Sequence, residues 1–353
     1  MTRLKNYSIY LEEENIQQDF LPLTLTRSVS DLRIGIFSIK QRWQFIAQNQ
    51  SISLKFSQKK DADFSIAANL IPKANLNLEV LFNSKSIQDQ AFCHLNRLWE
   101  LVQLNIVFLK EDFQMLDTSS FLPSLPKVIA LTGEYPVLID PTAKIDHCFI
   151  NTENGAVVID KYAQIMAGAM LRGPIYIGEN AVVKMGATLY EGTNIGKNCV
   201  VGGEIKNSIL HANSNKSHHG YLGDSYIGEW CNLGAGTTCS NLKNTAGKIK
   251  VWDMQSKAYR LASEKIGVFM GDFVRTAVNT AINSGTIIGA YANVFSKDVM
   301  SPKYIPPFSW GNTGTQKYEL EKLMGELEKW MKMKGQTPNE DVKQNIVNLY
   351  NQY

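Results

Sequence analysis

The side chains best suited to chemistry crowd into one stretch of the 353-residue chain: GGEIKNS (Gly202–Ser208), then NKSHHGYLGDSYIGEWCNLGAGT (Asn215–Thr237), then SNLKN (Ser240–Asn244). His218 belongs to the one residue type that ordinarily titrates near neutral pH, the property a proton carrier needs. A lone loop histidine is most often solvated, or a satisfied core imidazole, so its neighbours decide. Lys206 alone would read as a solvated charge. Beside Glu204 on one flat coil, it is better placed to hold a ligand.

The element that must carry these residues announces itself by a period of six. Ile159, Ile165, Leu171, Ile177, Val183, Leu189, Ile195 and Val201 fall at one unbroken spacing. Two positions before most of them stands a small residue: Ala163, Ala169, Ala181, Ala187, Thr193, Cys199. Neither the helical 3.6 nor the single-strand 2 produces this period, so it is a repeat. Each hexapeptide supplies one short strand, and three strands make a triangular coil. The aliphatic side chain points inward, the small one fits the corner, and each coil buries its interior on the next. Such repeats resemble the left-handed parallel β-helix, whose members are mostly trimeric acyltransferases.

The rest of the chain bounds the answer. Its length suits two or so domains with a large core. A formal net charge of +3 is too weak to imply nucleic acid or a membrane surface, and no apolar run approaches the length of a bilayer span. The start lacks a signal-peptide core, which predicts a cytoplasmic protein. The five cysteines contain no CxxC pair; Cys199 and Cys231 sit in the small-residue slot and read as packing thiols, so neither a disulfide framework nor a metal site is expected.

Residues 1–130 have no six-residue period. Tyr7–Tyr10, Ser51–Phe56 and Phe64–Ile71 read as buried strands, and Ile34, Ile39, Trp43 and Ile46 mark a helix over 34–48; together they predict a small α/β domain. Pro123, Pro126 and Gly133 suggest a linker before a solenoid over 137–312. Within the solenoid, CFINTENGA reads as an excursion and Glu204–Ser225 as a polar segment too irregular for coil strands. A second insertion, from about Thr237 to Lys265, contains two alternating runs, KIKVW and KAYRL, that suit an external hairpin. The period returns at Met270, Thr276, Ile282, Ile288 and Val294. PPFSWG (Pro306–Gly311) ends it, and residues 313–353 form an amphipathic helix through Leu320, Leu323, Leu327 and Met331, then a last helix with Thr337 as N-cap. Loops leaving a rigid solenoid are where function usually sits.

The order E-x-K-N, H-x-x-YLGD-x-x-IG-x-x-x-N-x-GAGT and S-N, over Glu204 to Ala290, resembles the acetyltransferase domain of the bifunctional bacterial enzymes that make UDP-N-acetylglucosamine. That family acetylates glucosamine 1-phosphate with acetyl-CoA and then transfers UMP. Acetyl transfer to an amine needs a base, donors for the developing oxyanion and a grip on the sugar phosphate. The resemblance makes His218 the base, with Glu204, Lys206, Tyr221 and Asn232 binding the sugar phosphate. Ala235, Asn241 and Ala290 would face acetyl-CoA. The family's phosphate-gripping Arg resembles Arg172 in Leu171-Arg172-Gly173-Pro174. An eighteen-residue coil puts Arg172 about one coil too far from Glu204, and Lys184 is the nearer substitute. Two departures stand out. Leu242 replaces a Tyr, and Asp272 replaces a Ser where an acid would repel the phosphates of coenzyme A unless paired.

The front, FLPLTLTRSVSDLRIGIFSI, resembles the P-L-T-x-x-R segment of sugar-nucleotide pyrophosphorylases. Those enzymes precede it with a glycine-rich loop that cradles the triphosphate. Here IYLEEENIQQDF stands in its place, acidic and without a glycine, and the domain is about half the usual size. Arg27 and Arg33 are candidates for anion contacts.

The expectation is therefore a mainly β protein: a left-handed parallel β-helix with a small nucleotidyltransferase-like α/β domain before it and helices after it. It would work as a cytoplasmic homotrimer moving acetyl from acetyl-CoA to an amino-sugar phosphate. Sugar-1-phosphate nucleotidyl transfer, which would add Mg2+ and a nucleoside triphosphate, and a non-catalytic sugar-nucleotide-binding trimer are the alternatives.

Overall fold

The computed structural model describes residues 5–87, 89–295 and 300–353. The chain divides into two compact units: Met1–Phe20 with Arg27–Leu116, and Leu21–Thr26 with Asp117–Tyr353.

In the first unit, strand Lys5–Glu12 is the centre of a three-stranded parallel sheet, flanked by Ile52–Phe56 and Phe64–Ala67. The stretch Phe64–Ile71 is two strands rather than one: Leu70–Pro72 turns away to pair antiparallel with Phe92–His94. Helix α1 spans Ile39–Asn49 and starts later than the periodicity suggested. Ser38 and Gln41 form a reciprocal capping box there, which satisfies amides of the first turn. Ile34 and Phe37 fall instead in a short antiparallel ribbon. Helices α2 (Leu78–Ser84), α3 (Glu100–Gln103) and α4 (Asn105–Met115) complete the unit. Buried Arg42 ties α1 to α4 through Asp112 and, at 3.0 Å, Glu111. Burial lowers its guanidinium to about 10, an effect partly offset by Glu111.

The second unit is a three-faced parallel β-helix. Its faces are sheets of eight, six and nine strands. From Lys144 to Ile227 the chain steps from the eight- to the six- to the nine-stranded face in each coil; further on, Thr238–Cys239 and Ala281–Ile282 take the middle place as a separate two-stranded sheet. All eight positions of the six-residue series from Ile159 to Val201 are 2% exposed or less, and the small residues at the corners are fully buried. The inward slots form one continuous apolar column.

Four sequence readings need correction. The solenoid begins at strand Ile129–Thr132, ahead of Val137, pairing with Cys148–Asn151. That partner lies inside CFINTENGA, which is therefore a regular coil strand and no excursion. The polar segment after Gly203 is also regular: Glu204–Lys206, Ile209–Leu210, Asn215–Lys216 and Tyr221–Gly223 are all coil strands. The period is hidden because the coils shorten. Leu171 pairs with Leu189 eighteen residues on, but Leu189 pairs with Ile205 after sixteen and Val201 with Lys216 after fifteen. Thr238–Cys239 is still a strand, so the second insertion starts later than Thr237. It does form the expected hairpin, Lys250–Asp253 against Ala258–Leu261.

One corner of the solenoid is a ladder of left-handed residues: Asn180, Asn198, Asn213, Trp230, Phe273, Tyr291 and Phe308, with φ between 56° and 63°. Each donates its amide to the carbonyl just before its counterpart in the previous coil. The aromatic half stacks face to face, with centroids 6.1, 5.2 and 5.0 Å apart from Trp230 to Phe308. Helices α5 (Leu320–Lys332) and α6 (Glu340–Gln352) cover these rings with Leu323, Leu327, Met331 and Ile346, joined by Leu25. The cap of α6 is Asn339, not Thr337: its side chain accepts from Val342 N at 2.8 Å.

Candidate active site

The six-stranded face carries four of the nine expected ligand-binding residues: Arg172, Glu204, Lys206 and Tyr221. Parallel pairing aligns Met170, Thr188, Glu204 and Tyr221 in one column. Lys206 stands two residues past Glu204, and Arg172 lies two strands below Lys206 by the same register. The shorter coil between them does not bring Arg172 nearer: it stands two full strands from Lys206, one strand beyond an adjacent-coil neighbour, as the sequence spacing implied. Glu191 bridges the two cations: its carboxylate lies 3.8 Å from Arg172 Nε and 3.5 Å from Lys206 Nζ.

Tyr221 shows what the YLGD segment does locally. Its ring folds across Gly223, where a Cβ would sit 2.2 Å from the hydroxyl, so only glycine permits the pose. The hydroxyl accepts from Asn241 Nδ2 at 3.1 Å; Asn241 also donates to Asp224 Oδ2 at 2.5 Å, and Asn207 donates to Asp224 Oδ1 at 2.6 Å. Burial first, then the charges of Asp224 and Glu204, push the phenol up to about 12. Tyr221 thus stays protonated at neutral pH and can donate to an anion.

His218 occupies the corner between the eight- and six-stranded faces and is exposed. The corner stacks on Gly203, which has φ 72° and no room for a Cβ between the His218 and Gly220 carbonyls. Gly203 immediately precedes Glu204, so His218 adjoins the polar face. Lys184 lies on the same corner, packed beneath Gly202, rather than on the face with Arg172. Ala235 is one coil further on, its carbonyl accepting from Asn279 N at 2.7 Å.

Asn232 and Ala290 stand apart from this group. Asn232 is on the eight-stranded face, where its Oδ1 accepts from Asn215 Nδ2 at 3.4 Å. Lys334, just past α5, bonds Asn215 Oδ1 at 3.0 Å and Asn198 O at 2.5 Å, and Arg275, next in register to Asn232, stacks on Trp330 of α5. Ala290 is 1% exposed, inside the aromatic cluster beneath α5 and α6. Asp272 is 4% exposed and fully engaged: Oδ1 accepts from Glu229 N at 2.7 Å and Oδ2 from the Thr26 hydroxyl. Its carboxylate is hydrogen-bonded at both oxygens and turned inward. Leu242 is exposed and bridges to Lys265.

Sequence reasoning missed Glu191, Asn207 and Asp224. Asp224 lay within YLGD, and its place beside a tyrosine and an asparagine was the available signal. Glu191 had none, since its partners come from neighbouring coils.

In the first unit the acidic loop after the central strand is already committed. Glu12 pairs with Lys59 at 3.0 Å. Glu13 accepts from the Ser28 hydroxyl and, at 3.2 Å, from the amides of Val29 and Ser30. Those amides are the donors a phosphate would want, and a carboxylate holds them. Arg33 donates to Ile36 O and Arg27 is half-buried. Among the described residues no three His, Cys, Asp or Glu stand together to hold a metal. No helix among the described residues is long and apolar enough to cross a membrane.

A sugar nucleotidyl transferase family profile matches residues 9–59. A bifunctional sugar-1-phosphate nucleotidylyltransferase/acetyltransferase of Sulfurisphaera tokodaii is 34% identical over 153 residues, 42% of this chain and 37% of that protein. The bifunctional protein GlmU of Methanocaldococcus jannaschii is 36% identical over 114 residues, covering 32% of this chain and 26% of its own length. The GlmU of Wigglesworthia glossinidia brevipalpis is 31% identical over 158 residues, covering 40% and 32%. This chain therefore spans about a third of the length of the curated relatives it matches. Among solved structures, an Arabidopsis UDP-N-acetylglucosamine acyltransferase aligns with 60% of this chain and 87% of its own at 15% identity, with a TM-score of 0.27, too low to bear on the fold. The chain matches the sugar nucleotidyl transferase profile over residues 9–59 and is similar, at modest identity and over part of its length, to the bifunctional GlmU-type nucleotidylyltransferase/acetyltransferases.

Proposed function

We propose that the protein is an acyltransferase that moves an acetyl group from acetyl-CoA to the amine of an amino-sugar phosphate. The observation that carries this reading is one surface: Arg172 and Lys206 held on Glu191, beside a protonated Tyr221, next to the corner that presents His218. The cations and the phenol supply charge and hydrogen-bond donors for a phosphate. His218 takes a proton as the amine nitrogen attacks the thioester carbon; the C–N bond forms, the C–S bond breaks, and the coenzyme thiolate leaves and is protonated. Asn241 and Ala235 border the same region and are the candidates for the coenzyme arm, with Asn232 as a sugar contact reached past α5. Ala290 lies under the helices and takes no part. The similarity to bifunctional acetyltransferases supports a cytoplasmic homotrimer with clefts between solenoids.

The test is thiol release from acetyl-CoA with glucosamine 1-phosphate and related amino-sugar phosphates, in wild type and His218→Ala. The reading requires turnover by the wild type and a loss of roughly 100-fold or more in the variant. Full activity in the variant, or none in the wild type on any amino-sugar phosphate, removes it. Nucleotidyl transfer is the second reading, favoured by the family match over residues 9–59. Glu13 speaks against it, and pyrophosphate release from UTP or dTTP with a sugar 1-phosphate would establish it.

A further inference from the structure

Lys216 occupies an inward slot of the solenoid, where neighbouring coils place aliphatic residues. Its register partner Val201 is fully buried, and Lys216 itself is 2% exposed. No carboxylate among the described residues pairs with it. A lysine in a dry column costs free energy that a leucine or methionine would not. Its ammonium donates to His218 O at 2.8 Å and to Gly202 O at 3.3 Å. Those carbonyls belong to consecutive turns of one corner, the corner that carries His218. Burial lowers the amine to about 8, as expected for a group held among carbonyls with no counter-charge.

We propose that Lys216 is a positioning residue for His218, pinning the corner from inside the solenoid so that the exposed imidazole is presented to the polar face in one orientation. The arrangement is economical in geometry. An exposed turn has few contacts of its own, and its outer side must stay open for substrate. Adjacent coils give it backbone contacts, and the core is the side from which a side chain can hold it without closing the outer face. A side chain that keeps an apolar stem in the column and a donor at its tip meets both demands. The proposal rests on the acyl-transfer reading of His218, and its test separates the two.

The experiment uses the full chain carrying Lys216→Met, which fills the slot without a donor. Small misplacements of a reacting group cost up to about 100-fold, so kcat is expected to fall roughly 10- to 100-fold with KM for acetyl-CoA and sugar phosphate within about twofold. Hydrogen exchange is expected to quicken at the Ser217–Tyr221 amides and stay unchanged elsewhere in the solenoid. Lys216→Gln, whose amide keeps a donor at shorter reach, is expected to recover part of kcat, and it replaces the methionine variant if that chain does not fold. Wild-type kcat together with wild-type exchange overturns the proposal. So does faster exchange along the whole solenoid, which would make the lysine merely structural, or a rise in KM at constant kcat. If the wild type itself transfers no acyl group, the acyl-transfer reading fails, and exchange confined to the corner still decides whether Lys216 anchors it.

Discussion

Thr26 and Asp272, 246 positions apart, meet through a hydrogen bond in which the Thr26 hydroxyl donates to Asp272 Oδ2. The other carboxylate oxygen holds Glu229 N at 2.7 Å, at the foot of the aromatic ladder. A segment that resembles a pyrophosphorylase signature is thus also a strap on the solenoid, with Leu25 against the rings. Losing a hydrogen bond to a buried charged group costs about 1–3 kcal/mol. Asp272→Ala should lower stability by that amount in chemical denaturation, and Thr26→Val by less. The two should couple by about 0.5–3 kcal/mol in a double-mutant cycle. Additive losses would mean that the bond contributes nothing. Asp272→Ser, which introduces the residue expected from the resemblance, should change stability far more than KM for acetyl-CoA.

The aromatic half of the corner ladder sets two effects against each other. A non-glycine residue at φ near 60° costs roughly 1–2 kcal/mol, and asparagine tolerates it best. Tyr291→Asn would therefore relieve backbone cost while deleting a ring stacked on both Phe273 and Phe308. Removing a buried aromatic costs about 3–5 kcal/mol. The packing should win, leaving Tyr291→Asn destabilised by about 2–4 kcal/mol in thermal or chemical unfolding. A neutral or stabilised variant would show that φ preference, not stacking, governs the corner.

The same ladder shows what sequence can and cannot reveal. The run from Ile159 to Val201 was legible because every coil there keeps six residues per side and every inward slot is apolar. Past Gly203 the coils shorten and Lys216 fills an inward slot, so both marks of the repeat vanish where the polar residues gather. The ladder left a trace that went unread: Gly196-Lys197-Asn198, then Gly228-Glu229-Trp230, Gly271-Asp272-Phe273 and Gly289-Ala290-Tyr291. Asp272 read as a repulsive charge because its partner lies near the other end of the chain. Glu204, Lys206 and Tyr221 could be grouped from motif order alone, since neighbouring coils stack in sequence order. Glu191 could not, because nothing in its local sequence signals that it faces two cations.

Arg172 and Lys206 share Glu191 on an open surface, with 44% and 41% of their side chains exposed. Ion pairs of this kind contribute about 0–1 kcal/mol to stability, whereas a charged hydrogen bond to a bound phosphate is worth about 1.5–3 kcal/mol. Lys206→Met should therefore leave the melting transition almost unchanged and raise KM for the sugar phosphate by roughly tenfold or more. Arg172→Met should act in the same direction. A variant with an unaltered KM would take that cation out of the site, and a large loss of stability would recast it as structural.

Lys216 gives the chain a stability signature in pH. Burial lowers its amine from 10.5 to about 8, so the folded state binds this proton less tightly than the unfolded state. The penalty is complete below pH 8, where both states are charged. It fades as pH rises from about 8 to 10.5, where the folded amine is neutral while the unfolded one remains protonated. The full gap corresponds to about 3 kcal/mol. Other groups titrate in the same window, including Tyr221, so the difference between wild type and Lys216→Met is the quantity to follow. Wild type should gain on the variant by up to about 3 kcal/mol between pH 7 and pH 10.5 in urea denaturation, with the variant relatively most stable at the acid end. A difference that stays flat across this range would mean that the ammonium costs no more in the fold than in water.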